Sequence, residues 1–229
     1  LSAYNGKDHF AANFDGNTDL KDGSKMNWGN TIISARWNYI FNNRLFSNTT
    51  ISYNNYLFDI NSYTNNQYST NTGTTITNRY SADYRSGIND WSYQIDFDYN
   101  PTPVHHVKFG TGYIYHRFRP EVMTSKISDK TDDTVDRDTT YNNIANSRIY
   151  AHEISAYMED NIKVNSRLRL NLGLHFSLFH VQKQSYFSLQ PRVSARYQLS
   201  KSIALKGSYT QMSQYVHLLS SCLLYTSPS

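Results

Sequence analysis

Apolar and polar residues alternate at every second position over long stretches of this chain. The clearest stretch is residues 167–179, where the apolar side chains share one face and Arg, Asn, Gly, His and Ser share the other. The apolar residues are Leu168, Leu170, Leu172, Leu174, Phe176 and Leu178. A period of two is the repeat of a β-strand, whereas a helix would scatter these leucines around its axis and bury arginines beside them. The segment is therefore predicted to be a strand with one apolar and one polar face.

Similar alternation predicts a series of antiparallel strands joined by reversals. It recurs at residues 33–41, 91–100, 107–116, 192–199 and 203–209. Residues suited to tight turns lie at 42–43, 100–103, 164–166 and 200–201. Longer polar segments, predicted to be loops, lie at residues 15–27, 61–78, 120–147 and, more briefly, 184–187. Counting the reversals predicts about nine strands.

The bulk properties favour a membrane β-barrel over other classes. No run approaches the ~18 consecutive apolar residues that a membrane-spanning helix needs. The mean hydropathy is −0.65, yet aromatic residues make up 15% of the chain. A barrel strand crosses a membrane with ~9–11 residues, of which only every second one must be apolar. We therefore predict an all-β fold, an antiparallel transmembrane β-barrel of the bacterial outer membrane.

The arrangement of turns and aromatic residues orients this predicted barrel. Short turns on one rim and long loops on the other are typical of outer-membrane barrels, with the short turns on the periplasmic side. Several strands exceed the spanning length and are expected to project beyond the outer leaflet. Trp37, Tyr39 and Phe41 precede one short turn and residues 91–99 lead into another, as expected of an aromatic girdle. Cover of a hydrophobic core is the alternative reading of these aromatics.

The polar face of such a barrel lines a lumen or contacts a plug. The candidates for lumen-lining residues are Arg36, Asp96, Asp98, Lys108, Arg169, Arg192 and Arg196. A charged residue of this kind more often pairs with a neighbour than it contacts a substrate.

No motif indicates catalysis, a cofactor or a metal. The net charge of +4 comes from residues scattered singly, which does not indicate nucleic-acid binding. The acidic segment 128–138 lacks the spacing of a calcium loop, and the paired His105 and His106 point to opposite faces of an extended strand. Cys222 is the single cysteine, and no nucleophile, phosphate-loop or metalloprotease motif is present. A non-enzymatic protein is predicted.

Four segments carry a resemblance to a known family. They are ISARWNYIFNNRLFSNTTISYNNYLFDI, DYNPTPVHHVKFGTGYIYHRFRPE, EISAYMEDNIKVNSRLRLNLGLHFSLF and LQPRVSARYQLSKSIALKGSYTQMSQYVHLLS. Together they resemble the barrel of TonB-dependent receptors, in particular the Bacteroidetes type with a carboxypeptidase-like regulatory domain. The resemblance implies a larger barrel of about 22 strands with a plugged lumen.

The resemblance also implies a function and a set of partners. It implies a receptor in the bacterial outer membrane that imports a scarce nutrient, such as an iron chelate, cobalamin or a glycan. The implied partners are outer-membrane lipid, the small nutrient ligand and the TonB energy-transducing complex, which acts through a plug. A plug-free porin and a soluble carbohydrate-binding β-sheet are the alternatives.

The chain divides into two parts. Residues 1–221 are predicted to be a partial barrel, because there is no leader-like start and an odd strand number does not close a bacterial barrel. Residues 222–229, CLLYTSPS, depart from the family pattern and are predicted to be a non-native tail.

Overall fold

The computed structural model describes residues 1–15, 20–132, 134–144 and 148–215, and they form one antiparallel sheet of ten strands. The strands are β1 (Ser2–Asp15), β2 (Leu20–Asn42), β3 (Leu45–Ser69), β4 (Thr75–Tyr99), β5 (His105–Thr131), β6 (Thr134–Ile144), β7 (Ile149–Lys163), β8 (Leu168–Val181), β9 (Gln184–Gln198) and β10 (Ala204–Thr210). Within these ranges there is no helix with the length and apolar character needed to cross a bilayer. The all-β antiparallel prediction is confirmed. The tail at residues 222–229 lies outside the described residues.

The strands follow one another along a single path of hydrogen-bonded neighbours. The order is β1-β2-β3-β4-β5-β7-β8-β9-β10, and β6 lies off this path, paired with β5. The long strand β5 serves two partners, because its first part pairs with β7 and its second part with β6. The nine strands of the main path agree with the predicted number, and β6 adds a tenth. In the part of the chain that the structure describes, the sheet is open, with β1 and β10 at its edges.

The four short turns lie where the sequence predicts them, and all four are at one end of the sheet. Backbone and side-chain hydrogen bonds close them. Asn42 accepts hydrogen bonds from the backbone amides of Arg44 and Leu45, at 2.9 and 3.1 Å. Asn165 accepts from Arg167 and Leu168 in the same way, both at 2.8 Å.

The prediction of long loops at the other end is wrong for most of the residues concerned. Residues 20–27, 61–69, 75–78, 120–131, 134–144 and 184–187 belong to strands. Most of these segments carry polar residues on both faces, so the alternation that marks a strand in the sequence is absent from them. Backbone hydrogen bonds hold them in the ladder nonetheless. The strands β3, β4 and β5 therefore reach 25, 25 and 27 residues, which confirms that they exceed the spanning length.

The apolar face of the sheet is exposed. Leu172 and Leu174 are 44% and 48% accessible, and Trp37 and Trp91 are 68% and 54% accessible. Among the described residues, the buried hydrophobic side chains are Ala151 and Phe179, so no core covers this face. A single layer with one apolar face requires apolar surroundings, since exposed apolar area costs free energy in water.

Aromatic side chains border this apolar face at two levels. Near the short turns, the rings of Phe97 and Phe109 stack with centroids 4.9 Å apart. Farther along the same strands, the rings of Tyr53 and Trp91 lie 4.8 Å apart. The register pairs Trp91 with Tyr115 on the next strand. From Trp91 to Tyr99 the strand covers about 27 Å, which is comparable to the ~25 Å apolar band of an outer-membrane barrel.

Candidate functional site

The polar face of the sheet carries the candidate site, and the register places all seven predicted lining residues on it. Along each strand every second residue points to this face, and cross-strand pairing carries the same face from one strand to the next. The seven are Arg36 on β2, Asp96 and Asp98 on β4, Lys108 on β5, Arg169 on β8, and Arg192 and Arg196 on β9.

Six of these seven residues form two groups, and Arg36 lies apart from both. On β4 and β5, Asp98 pairs with Lys108 and hydrogen-bonds with Nε2 of His106 at 2.8 Å. On β8 and β9, Arg169 lies directly opposite Arg196. Arg36 lies apart on β2, where its Nε donates to Oγ1 of Thr50 at 3.3 Å. The polar face therefore separates an acidic region at Asp96 and Asp98 on β4 from a basic region on β8 and β9.

The side chain of Tyr157 extends over Gly110 on the neighbouring strand and reaches Asp96 in the acidic region. The Tyr157 hydroxyl, on β7, donates to Oδ1 of Asp96 on β4 at 2.7 Å. The intervening strand β5 places Gly110 between them, and a Cβ there would lie 2.9 Å from the Tyr157 ring and 2.8 Å from Asp96 Oδ1. Gln94 Nε2 donates to both Asp96 oxygens at 3.0 Å. The absence of a side chain at Gly110 thus leaves the space through which Tyr157 on β7 reaches Asp96 on β4.

A second polar contact lies nearer the projecting ends of the strands. His116 is only 7% exposed and its Nδ1 lies 2.8 Å from Oδ1 of Asp90. Its Nε2 lies 3.5 Å from Oε2 of Glu153. The imidazole thus bridges carboxylates on β4 and β7, and the ring of Phe118 stacks on it with centroids 5.6 Å apart. We refer to Asp90, His116 and Glu153 as the carboxylate–histidine cluster.

Next to this cluster, a tyrosine from the segment after β10 closes over the polar face. The Tyr215 ring stacks on Phe179 with centroids 5.2 Å apart, and its hydroxyl donates to the carbonyl oxygen of Ser177 at 3.2 Å. Gln190 Nε2 donates to Oγ of Ser177 at 3.0 Å. Ser177 and Gln190 are both buried, at 2% and 3% exposure. Ser177 therefore has hydrogen-bond partners in both Gln190 and Tyr215, and Tyr215 covers this part of the polar face.

The sequence analysis named Asp96 as a candidate but missed Asp90, His116 and Tyr157. His116 and Asp90 are 26 positions apart, and Tyr157 and Asp96 are 61 positions apart. The alternation places each of them on the polar face, but only the strand register brings the partners together. No described group of three or more His, Cys, Asp or Glu residues has an arrangement that could hold a metal ion.

The residues of the acidic segment 128–138 that the structure describes lie at the β5–β6 hairpin. Asp132 has φ 46° and its Oδ1 accepts a hydrogen bond from the Thr75 amide at 2.7 Å. Oδ1 of Asp138 lies 3.3 Å from Nζ of Lys126. Asp132 therefore contacts the first residue of β4, and Asp138 on β6 contacts Lys126 on β5.

Several solved structures are similar to this chain. The structure titled "FpvAI-pyocin S2 complex" is 12% identical with a TM-score of 0.41, and the match covers 89% of this chain and 37% of that one. The ferripyoverdine receptor of the Pseudomonas aeruginosa outer membrane is 10% identical with a TM-score of 0.39, covering 91% and 40%. The siderophore receptor PirA from Pseudomonas aeruginosa is 11% identical with a TM-score of 0.39, covering 93% and 40%. The chain thus spans less than half the length of each.

The family comparison covers nearly the whole chain. A search of the curated proteins matched none. The family described as "TonB dependent receptor-like, beta-barrel" matches residues 2–214. This chain therefore belongs to the β-barrel family of TonB-dependent receptors, which are outer-membrane proteins of Gram-negative bacteria.

Proposed function

We propose that this chain is the barrel wall of a TonB-dependent transporter that imports a scarce nutrient across the outer membrane without chemical conversion. The observation that carries the proposal is the division of the sheet into an exposed apolar face and a charged polar face, in a chain of this receptor family. In a closed barrel the apolar face must contact lipid, so the polar face encloses the lumen.

The polar face then supplies the lumen wall and its charges. The proposed lining residues are the seven predicted from the sequence: Arg36, Asp96, Asp98, Lys108, Arg169, Arg192 and Arg196. The carboxylate–histidine cluster belongs to the same wall, closer to the outer rim. Acidic and basic regions on separate strands offer a cargo or a plug two different electrostatic surfaces.

We propose partners that follow from this role. A plug domain fills the lumen, the TonB complex acts on that plug, and outer-membrane lipid surrounds the apolar face. The nutrient belongs to the iron chelate, cobalamin or glycan class, and the receptor is of the Bacteroidetes type with a carboxypeptidase-like regulatory domain.

Nutrient uptake by whole cells tests the proposal. A strain that lacks the full-length gene should fail to accumulate one nutrient among ferric chelates, cobalamin and oligosaccharides, and the wild-type gene should restore accumulation. Because import is energised through TonB, deletion of tonB or addition of a protonophore should abolish accumulation as completely as deletion of the receptor. Accumulation that persists without TonB would refute the proposal.

A planar-bilayer recording separates this function from that of a passive channel. A plugged receptor should give almost no ohmic conductance, whereas a plug-free porin should give stable open steps at the same protein concentration. Stable open steps from the purified full-length protein would favour the porin.

A further inference from the structure

Four basic side chains form one row across four neighbouring strands of the polar face. Lys163 on β7 pairs with Arg169 on β8, Arg169 pairs with Arg196 on β9, and Arg196 pairs with Lys206 on β10. We call these four residues the basic row. Neighbouring strands are ~4.8 Å apart, so the row extends over about 15 Å. It lies next to the short turns, at the periplasmic end of the strands.

The row is electrostatically unfavourable as it stands. Like charges at directly opposed cross-strand positions destabilise a sheet. None of the salt bridges between described residues involves a member of the row. Arg196 does donate a hydrogen bond, from Nη2 to Oε1 of Gln198 at 2.9 Å, but this acceptor is an uncharged amide.

Acidic groups on the same face lie at a distance from the row. Glu159 is four positions before Lys163 on β7, which is about 13 Å along the strand. Asp98 lies two strands beyond β7, on β4, where it contacts His106. Asp160 points to the opposite face and contacts His105. Within the part of the chain that the structure describes, no carboxylate is therefore in contact with the basic row.

A cavity lies against the row and adds neutral hydrogen-bonding groups. Its volume is about 390 Å³ and its lining includes Arg169, Arg196 and Lys206. The adjacent level of the wall pairs Asn161 with Asn171, whose Nδ2 donates to Oδ1 of Asn161 at 2.7 Å. Ser194 and Ser208 continue this level on β9 and β10. The polar residues that line the cavity are Asn161, Asn171, Ser194, Ser208, Arg169, Arg196 and Lys206.

We propose that the basic row and its cavity bind a multivalent oxyanion, with carboxylate or phosphate groups, that forms part of the imported cargo. Two guanidinium groups side by side offer planar donor pairs that match carboxylate or phosphate oxygens. The amides and hydroxyls of the adjacent level add orientation, and the volume lies within the range of small-molecule sites. This assignment rests on the proposed transport function, which makes the polar face a lumen wall. It places an anion-binding site at the periplasmic end of the lumen.

Anion binding to the purified full-length receptor tests the proposal directly. Titration calorimetry uses citrate and pyrophosphate as probes, which separates carboxylate from phosphate chemistry, and glucose as the neutral probe. The double variant Arg169→Gln with Arg196→Gln should weaken binding of at least one anion about tenfold, because charge-assisted hydrogen bonds are lost. The charge-matched control, Lys183→Gln with Lys201→Gln, alters exposed turn residues and should leave binding unchanged. Equal weakening in both double variants, or none in either, would overturn the proposal.

A stability measurement distinguishes a cargo anion from an acidic segment of the plug. Without added anion, the Arg169→Gln and Arg196→Gln receptor should unfold at the same or a higher temperature than wild type, because cross-strand repulsion is relieved. If an acidic plug segment neutralises the row, the same variant should instead unfold earlier and expose its plug to protease, which would overturn the proposal.

Whole-cell uptake tests the proposed transport function separately from anion binding. Nutrient uptake that continues in cells without tonB would refute the proposed transport function. The anion titration does not depend on TonB, so its result would still test the basic row. Normal TonB-dependent uptake with unchanged anion binding in the Arg169→Gln and Arg196→Gln variant would refute the basic-row assignment alone.

Discussion

Replacement of Gly110 by Ala should destabilise the barrel, because the contact between Tyr157 and Asp96 needs the space that Gly110 leaves. The added Cβ would lie 2.6 Å from the Ile95 carbonyl oxygen, 2.8 Å from Asp96 Oδ1 and 2.9 Å from the Tyr157 ring. The Ile95 oxygen belongs to the backbone of a paired strand and cannot move without disturbing the ladder. The clash with Ile95 must therefore strain the ladder itself, and the Tyr157 ring and the Asp96 carboxylate must move as well.

Two costs make up the expected loss of stability in Gly110→Ala. Overpacking costs about 1–3 kcal/mol. Displacing Tyr157 also breaks its hydrogen bond to the Asp96 carboxylate, which is 2.7 Å long in the wild-type protein. Hydrogen bonds to charged groups contribute about 1.5–3 kcal/mol. We expect a total of about 2.5–6 kcal/mol. Tyr157→Phe removes only the hydrogen bond and should cost about 1.5–3 kcal/mol.

Urea titration of the full-length receptor refolded into lipid vesicles measures these losses. Gly207→Ala is the matched control, because a Cβ at Gly207 meets no atom within 4 Å. Its effect should stay within about 0.5 kcal/mol of wild type. Gly110→Ala combined with Tyr157→Phe should cost less than the sum of the two single changes, because the hydrogen bond is lost only once. Equal unfolding midpoints for Gly110→Ala and Gly207→Ala would refute the reasoning.

Two further predictions address the two faces and the carboxylate–histidine cluster. Leu172→Arg should reduce the free energy of barrel folding by ~2–4 kcal/mol if Leu172 lies near the bilayer midplane, whereas Asn171→Arg on the polar face should be mild. Equal effects in a folding titration would contradict the assignment of faces. His116→Ala leaves Asp90 without its imidazole partner and should cost about 1.5–3 kcal/mol, measured by urea unfolding. Asp90→Asn retains an oxygen acceptor and should cost less, so a larger loss in Asp90→Asn would contradict the described contact.

The sequence alone determined the parts of the fold in which one face differs from the other. In β8, six apolar residues alternate with polar or small ones, so both the strand and its facing could be predicted. The short turns were equally accessible, because residues such as those at 42–43 and 164–166 carry their own turn chemistry. The assignment of all seven charged candidates to one face followed from the same period of two.

Periodicity failed where both faces of a strand carry polar residues. The segments at residues 61–69 and 120–131 have little contrast between alternate positions, so they read as loops although they extend β3 and β5. Their strand structure comes from pairing with neighbours that are already in register. This pairing is a cooperative property of the ladder, which propensity along one strand does not record.

Tertiary structure decided which polar residues meet. The contacts of His116 with Asp90 and Glu153, and of Tyr157 with Asp96, join strands that are far apart in sequence, and the basic row needs four strands in register. A shift of one residue in any pairing would turn the side chains of that strand to the opposite face and dissolve these contacts. The alternation of the sequence therefore determined which face each side chain occupies, and the hydrogen-bonded register of the sheet determined its neighbours on that face.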